Sequence, residues 1–254
     1  MQRNPTKTTP IVISYGRELK GLISNFQVKA LTVIPRVQKE YVVRLKKQRD
    51  QLIENSLVSE IDRIIDELEY QELRSKLRPI VRRYVGLAYM KGAEKATADL
   101  RRARYEISFA YTPNDVQALG MMIDHNLIEI RGMEDFMKKE VMRVLSTGML
   151  EGQGNEKIAR AMVERIDVSK NRAMMIARTE TIRNYSQASI ARYKSAGLSQ
   201  WRWITAMDER ACEECMSKDN EIFDMGEEQP PLHVNCRCSV SPYIDENLTP
   251  SPEE

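Results

Sequence analysis

Histidine, aromatic residues and long apolar runs are all scarce in this chain of 254 residues. It contains two histidines, and aromatic side chains make up 6% of the sequence. Zinc nucleases of the HNH type need more than one histidine in their site, so the shortage argues against that class of enzyme. The few aromatic residues and the 14 methionines fit helical packing better than a β-sandwich. No apolar run approaches the roughly 18 residues of a transmembrane helix, so we expect no membrane span.

Cysteine is also sparse, but its distribution is uneven. All four cysteines and one histidine lie in a short stretch that reads Cys212-x-x-Cys215 and then His233-x-x-Cys236-x-Cys238. This spacing is typical of a zinc site, because a tight turn at each pair aims two soft donors at one ion. Its expected ligands, which give both pairs a two-residue gap, are Cys212, Cys215, His233 and Cys236. Cys238 is an alternative ligand that would replace His233 or Cys236.

Two disulfides, or thiols that are merely buried, are the alternative interpretation of these cysteines. The first residues lack an apolar run behind their positive charges, so we expect no secretory signal and a cytosolic location. Disulfides are disfavoured there, and clustered thiols more often hold a metal. A catalytic zinc would need an open coordination position and a nearby acid or base, but the other histidine, His125, is far away in sequence. We therefore predict a structural zinc ion.

The hydrophobic periodicity favours a mainly α protein with an elongated, multi-helix body. Thr112 followed by a proline and by Asp115 is typical of a helix start, and Asn155 and Ser169 are each expected to cap a further helix. The predicted segments are a flexible arm at 1–10, a helical body at 11–150, a C-terminal module at 151–243 and a disordered acidic tail at 244–254.

The C-terminal module is predicted to be a small α+β unit that zinc staples together. Trp201 and Trp203 alternate with Arg202 and Ile204, which indicates a short strand. Residues 238–243 form a second strand candidate. The module has too few apolar residues to hold a core alone. A metal would therefore supply much of its stability.

Further motifs precede and accompany the cysteines in a fixed order. The helical segment Ile176-Ala-Arg-Thr-Glu-Thr181 is followed by Trp203-x-Thr205, by Asp208-Glu-Arg-x-Cys212-x-x-Cys215 and by Pro230-Pro-Leu-His233-x-Asn-Cys236-Arg-Cys238. Together these motifs closely resemble the signature of the phage minor head proteins, the Mu F-like head-morphogenesis family. The resemblance covers about residues 145–243. The N-terminal half has only a general likeness to a helical region of variable sequence.

The resemblance implies a non-enzymatic structural protein of the virion, made in the host cytoplasm and carried in the capsid interior. It implies association with the portal protein, and assistance in head assembly and in the packaging or ejection of DNA. Scaffold and capsid proteins are further expected partners. A zinc-stabilised DNA-binding protein is the alternative function, and a zinc-dependent nuclease or transferase is a third and weaker one.

Two pairs of charged residues near the cysteines are expected to be structural. Arg178 and Glu180 resemble short elements of some ADP-ribosyltransferases, but those elements lie on strands, whereas this run is predicted to be helical. We expect Arg178 and Glu180 to make structural bonds that hold the helix against the zinc module. Asp208 and Arg210, at the entry to the first cysteine turn, are expected to shape that turn and support the ligands.

Three clusters of basic residues lie in the N-terminal half. The net charge of +2 gives the chain no general affinity for nucleic acid, so binding to DNA would depend on such local patches. A solvated helix face is the simpler explanation of each cluster. Contact with DNA phosphates or with an acidic portal surface is the functional interpretation. The residues concerned are Arg44, Lys47, Arg82, Arg83, Arg101, Arg102 and Arg104.

Overall fold

The computed structural model describes residues 6–47, 70–105, 107, 112–151 and 153–244. Four long helices account for most of this part of the chain: α1 (Thr9–Lys47), α2 (Tyr70–Arg102), α3 (Pro113–Leu150) and α4 (Asn155–Ser195). The predicted mainly α fold class is confirmed. None of the helices within the described ranges is both long and apolar enough to cross a membrane.

Helix α3 begins where the sequence predicts it. The backbone N–H and the hydroxyl of Thr112 both donate to Asp115 Oδ2, at 2.7 and 2.8 Å. The backbone N–H of Asp115 in turn lies 3.3 Å from the Thr112 hydroxyl. These reciprocal bonds satisfy backbone donors that a helix start leaves without partners, which explains why the helix begins at Pro113.

Helix α4 differs from the prediction in that it is a single helix. Ser169 was expected to cap a second helix, but it lies fully buried in the interior of α4. Its hydroxyl is 3.5 Å from the carbonyl of Arg165, one turn earlier. A serine can bond the preceding turn in this way without ending a helix, so the cap prediction was wrong at this position.

A three-stranded antiparallel sheet follows the helices, with β1 (Gln200–Ile204) between β2 (Ile222–Asp224) and β3 (Ser239–Pro242). Trp201 of β1 is aligned with Phe223 on one side and with Pro242 on the other, and Trp203 is aligned with Val240. The short helix α5 (Glu213–Ser217) lies between β1 and β2. Strands β1 and β3 confirm the two predicted strands, whereas β2 was not predicted.

The chain forms two compact units that interleave along the sequence. The first unit comprises residues 1–16, 81–126 and 175–254, and the second comprises 17–80 and 127–174. The first contains the sheet, and its largest fully buried side chains include both tryptophans. The second has its own apolar core, which includes Ile23, Met137 and Ile158.

The ends of the predicted segments can be compared with the structure only in part. Thr6 and Thr8 of the predicted arm are buried, and α1 already begins at Thr9. Residues 245–254 of the predicted tail lie outside the described residues. The predicted domain boundaries at residues 150 and 243 therefore stay a prediction.

Within the first unit, α2 and α4 approach closely at Gly92. A Cβ atom at this position would lie 2.2 Å from the carbonyl oxygen of Tyr185 and 3.1 Å from the Cβ of Ala188. The Ser189 hydroxyl is 3.1 Å from the Gly92 carbonyl oxygen, so side chain and backbone are in contact here. The spacing of the two helices therefore depends on the absence of a side chain at residue 92.

We expect Gly92→Ala to lower the free energy of unfolding by about 2 kcal/mol, because the added methyl group would push against the α4 backbone. Gly86→Ala in the same helix is the matched control, since a Cβ there meets nothing within 4 Å. The control should be neutral or stabilising by up to about 1 kcal/mol, because alanine favours helix. Urea denaturation of both variants measures the difference, and equal effects would contradict the close approach.

Candidate metal centre

The sheet and its connections bring the cysteine-containing segments together. Cys212 is the N-cap of α5, and its sulfur accepts a hydrogen bond of 3.4 Å from the backbone N–H of Cys215. Cys236 and Cys238 come immediately before β3 and are directed inward with it. Strand β3 pairs with β1. The pairing therefore brings Cys236 and Cys238, which precede β3, close to Cys212 and Cys215, which follow β1 in the chain.

Five potential donor side chains converge at this position. The Nε2 atom of His233 lies 3.2 Å from the sulfur of Cys212 and 3.2 Å from that of Cys215. The sulfur atoms of Cys215 and Cys236 are 3.9 Å apart. Two groups with donor atoms within 4.8 Å of one another share Cys215: Cys212, Cys215 and His233, and Cys215, Cys236 and Cys238.

The ring of His233 is oriented by the backbone carbonyl of the next residue, Val234. Nδ1 lies 2.9 Å from the carbonyl oxygen of Val234. A carbonyl can only accept, so Nδ1 carries the proton and donates it. This leaves Nε2 directed at the two sulfur atoms, as a metal-binding imidazole requires.

These distances are near those between the ligands of one metal ion. Two ligands about 2.3 Å from a tetrahedral zinc ion are about 3.8 Å apart, compared with 3.9 Å between the sulfur atoms of Cys215 and Cys236 and 3.2 Å from His233 Nε2 to the sulfur atoms of Cys212 and Cys215. A disulfide requires sulfur atoms about 2.05 Å apart, and all four cysteines are free thiols. The cluster can therefore hold a metal ion, and its soft donor set suits Zn²⁺.

Burial and mutual contact shift the pKa values of the thiols in opposite directions. The bond with Cys238 lowers the pKa of Cys236 to about 5, whereas burial raises the pKa of Cys215 to about 12 and helps to raise that of Cys238. The backbone N–H of Cys215 lowers the pKa of Cys212. A divalent cation would favour the thiolate at every ligand, because it offsets the repulsion between neighbouring negative charges.

The cluster rests on an aromatic core. Trp201 and Trp203 are fully buried, and Phe223 stacks on Trp201 with ring centroids 4.9 Å apart. The same core includes Leu100 of α2 and Tyr193 of α4, together with the three buried cysteines. Each buried tryptophan contributes at most about 5 kcal/mol of hydrophobic stabilisation, so this core positions the sheet firmly under the donors.

Thr205 connects the core to the cluster, a role that the sequence analysis missed. Its hydroxyl donates to the carbonyl oxygen of Cys215 at 2.6 Å and accepts from the indole N–H of Trp203 at 3.1 Å. The thiol of Cys238 lies 3.7 Å from the same oxygen. The Trp203-x-Thr205 motif was the available signal, but spacing alone does not show which atoms the hydroxyl meets.

Thr179 connects helix α4 to the cluster and was also missed. Its hydroxyl accepts a 3.1 Å hydrogen bond from the backbone N–H of Asn235, the residue before Cys236. Asn235 has a positive φ of 65°, which turns its N–H away from the regular course of the chain. The threonine between Arg178 and Glu180 thus bonds the cysteine segment, whereas the predicted roles of Arg178 and Glu180 stay a prediction.

The side chains of Arg178 and Glu180 meet different partners. Buried Glu180 accepts from Asn126 at 3.2 Å and pairs with Arg183 at 3.3 Å, and His125 Nε2 lies 3.4 Å from its carboxylate. Arg178 instead lines a cavity beside Asp208 and Arg237. Residues two apart on a helix project in different directions, which accounts for the separation.

Asp208 holds the segment between the last two cysteines. Its carboxylate accepts hydrogen bonds from both terminal nitrogens of Arg237. It also accepts a hydrogen bond of 3.0 Å from the backbone N–H of Arg210. The bond with Arg237 lowers the pKa of Asp208 to about 2. Asp208 thus joins the turn before Cys212 to the run that contains Cys236.

The predicted basic clusters are exposed where the structure describes them. Arg82, Arg83 and Arg104 are exposed, as are Arg101, which donates to the carbonyl of Ile107, and Arg102, which pairs with Asp99 at 3.1 Å. Arg44 and Lys47 belong to α1, but their side chains lie outside the described residues. Contact of these residues with DNA or portal stays a prediction.

Comparison with known proteins finds a family model that matches this region. Residues 139–241 match the family model described as Phage Mu protein F like protein. The matched residues begin within α3 and include α4, all five donors and the sheet except Pro242. The match confirms the resemblance to the Mu F-like family that the motifs predict.

An "Uncharacterized protein" of Haemophilus influenzae (strain ATCC 51907 / DSM 11121 / KW20 / Rd) is 22% identical to the chain over 193 residues. The alignment covers 73% of this chain but 43% of that protein, so the chain spans less than half the length of this relative. No solved structure matches the chain at a significant level.

We expect Thr179→Val to destabilise the region by about 1 kcal/mol, because it removes the acceptor for the Asn235 N–H while keeping the shape of the side chain. Thr181→Val is the matched control, since the Thr181 hydroxyl bonds only the carbonyl of Ala177 in its own helix. Urea denaturation and the rate of maleimide labelling of the cysteines are the measurements. Faster labelling in Thr179→Val than in Thr181→Val is expected, and equal rates would count against the connection.

Proposed function

We propose that this protein is a structural minor head protein of a tailed phage and that a Zn²⁺ ion holds its C-terminal region together. The protein would associate with the portal in the capsid interior and assist head assembly and the packaging or ejection of DNA. The match of residues 139–241 to the Mu protein F-like family supports the head-morphogenesis role. The portal is the partner on which the proposal depends most.

The observation that carries the zinc proposal is the convergence of soft donors from three segments of the chain. Cys212 and Cys215 come from the start of α5, His233 from the loop, and Cys236 from the entry to β3. His233 lies 3.2 Å from the sulfur atoms of Cys212 and Cys215, and Cys236 adjoins this group through Cys215 at 3.9 Å, so we propose that the four close around one ion. Cys238 bonds the Thr205 hydroxyl, so we propose that it supports the site without binding the ion.

A structural role for the ion follows from the composition and burial of the donor set. Four protein donors fill a tetrahedral zinc, whereas a catalytic zinc keeps one position for water or substrate. Cys215 and Cys236 are 2% and 1% exposed, so their side of the ion faces the core. In this proposal the ion supplies stabilisation that the few apolar residues of three short strands cannot provide.

The purified protein should contain about one zinc ion per chain, as a single tetrahedral site requires. Cys212→Ser should lose most of this metal, and Cys238→Ser, the matched thiol-to-hydroxyl control in the same cluster, should keep it. Elemental analysis of the three proteins, with circular dichroism to verify folding, is the measurement. Loss of zinc in both variants would refute the ligand choice, and a metal-free wild type would refute the zinc proposal.

Co-expression with the portal protein of the same phage should yield a complex that co-purifies through affinity and size-exclusion steps. The portal of an unrelated phage is the control and should not retain the protein. Native mass spectrometry of the complex would give the number of copies bound. A protein that never associates with its own portal under any assembly condition would contradict the proposed role.

A further inference from the structure

A cavity of about 310 Å³ lies in the first unit, and none of the five potential metal donors is among its lining residues. Water occupies about 30 Å³ per molecule in the liquid, so the space exceeds what a few solvent molecules need. Its volume falls within the range of small-ligand pockets. Its polar lining residues are Thr6, Thr8, Thr9, Arg178, Asp208, Arg210 and Arg237.

Positive charge is in excess around this cavity. Three guanidinium groups line it, but the wall contains a single carboxylate, that of Asp208. Arg237 engages that carboxylate through two nitrogens, and Arg210 Nη2 is 3.8 Å from it. No carboxylate of the described residues pairs with Arg178.

Among the described residues, the guanidinium group of Arg178 has no carboxylate partner. It is partly buried on α4, and burial together with the nearby charges of Arg210 and Arg237 lowers its pKa. Like charges held together in a partly buried site repel each other, and an anion between them would relieve the repulsion. The geometry therefore favours a negatively charged ligand.

The start of helix α1 lies at the same wall. Thr8 and Thr9 line the cavity, and α1 begins at Thr9. The dipole of the helix places partial positive charge at this end, which favours an anion in the cavity. The hydroxyls of Thr6 and Thr8 are 2.7 Å apart, which fixes the segment that leads into the helix.

We propose that this cavity binds a phosphate group, with Arg178 and Arg210 as its principal contacts. A tetrahedral oxyanion accepts hydrogen bonds from several directions, and here the guanidinium groups and a helix start approach from different segments. Asp208 keeps Arg237 in place and limits the net charge of the wall. The proposal is independent of the assignment as a head protein, because it rests on residues that neither bind the zinc ion nor contact a portal in the proposed function.

Inorganic phosphate and a short DNA duplex distinguish the two possible sources of the group. Isothermal titration calorimetry of the full chain with inorganic phosphate should show binding, and Arg178→Gln should weaken it by about tenfold, or about 1.4 kcal/mol. Arg131→Gln is the matched control, because it removes the same charge from an exposed position on α3 that lies outside the cavity and outside the predicted basic clusters, and it should leave the affinity unchanged.

Fluorescence anisotropy with the duplex identifies the source. Duplex binding that needs Arg178 and is displaced by inorganic phosphate would identify a nucleic-acid backbone as the ligand. Phosphate binding without such duplex binding would identify a small phosphorylated molecule or free phosphate. Each of these outcomes supports the site.

The proposal is overturned if neither probe binds, or if Arg131→Gln weakens binding as much as Arg178→Gln does. Arg210→Gln keeps the test decisive where Arg178→Gln does not fold. The Arg210 side chain is 65% exposed, so its replacement should preserve the structure while removing one contact. Unchanged phosphate affinity in Arg210→Gln would then refute the proposal.

Discussion

The sulfur of Cys215 is the atom on which the C-terminal region depends. It belongs to both groups of potential metal ligands and lies 3.2 Å from the imidazole of His233. The backbone carbonyl of the same residue accepts a hydrogen bond from the hydroxyl of Thr205. That hydroxyl in turn accepts a hydrogen bond from the indole N–H of Trp203. One residue thus ties the donor cluster to the aromatic core, and its displacement would disturb both.

The core beneath the cluster is shared between the sheet and the long helices. Leu100 and Tyr193 pack with Trp201 and Trp203, so the three short strands do not depend on their own apolar residues alone. The family match includes α4 as well as the cysteine segments. The part of α4 that contains Tyr193 belongs to the same compact unit as the sheet.

Sequence patterns predicted the features that depend on neighbouring residues. The capping of α3 by Thr112, the strands around Trp201 and after Cys238, and the grouping of the donors all follow from short spacings. Strand β2 has three residues, too few for an alternating pattern to be seen. Ser169 was misleading because a serine can serve equally as a cap or as a buried residue that bonds the preceding turn.

The sequence by itself determined the donor types, their spacing and the class of local elements, because those depend on a few adjacent residues. Only the tertiary structure decided that Thr179 bonds the N–H of Asn235, 56 positions away. It also decided that Arg178 and Asp208 line the same cavity, whereas Glu180 accepts a hydrogen bond from Asn126. Such partners depend on how helices pack, as in the contact of Gly92 with Tyr185. That packing is set by side chains distant in sequence, so no local pattern could indicate it.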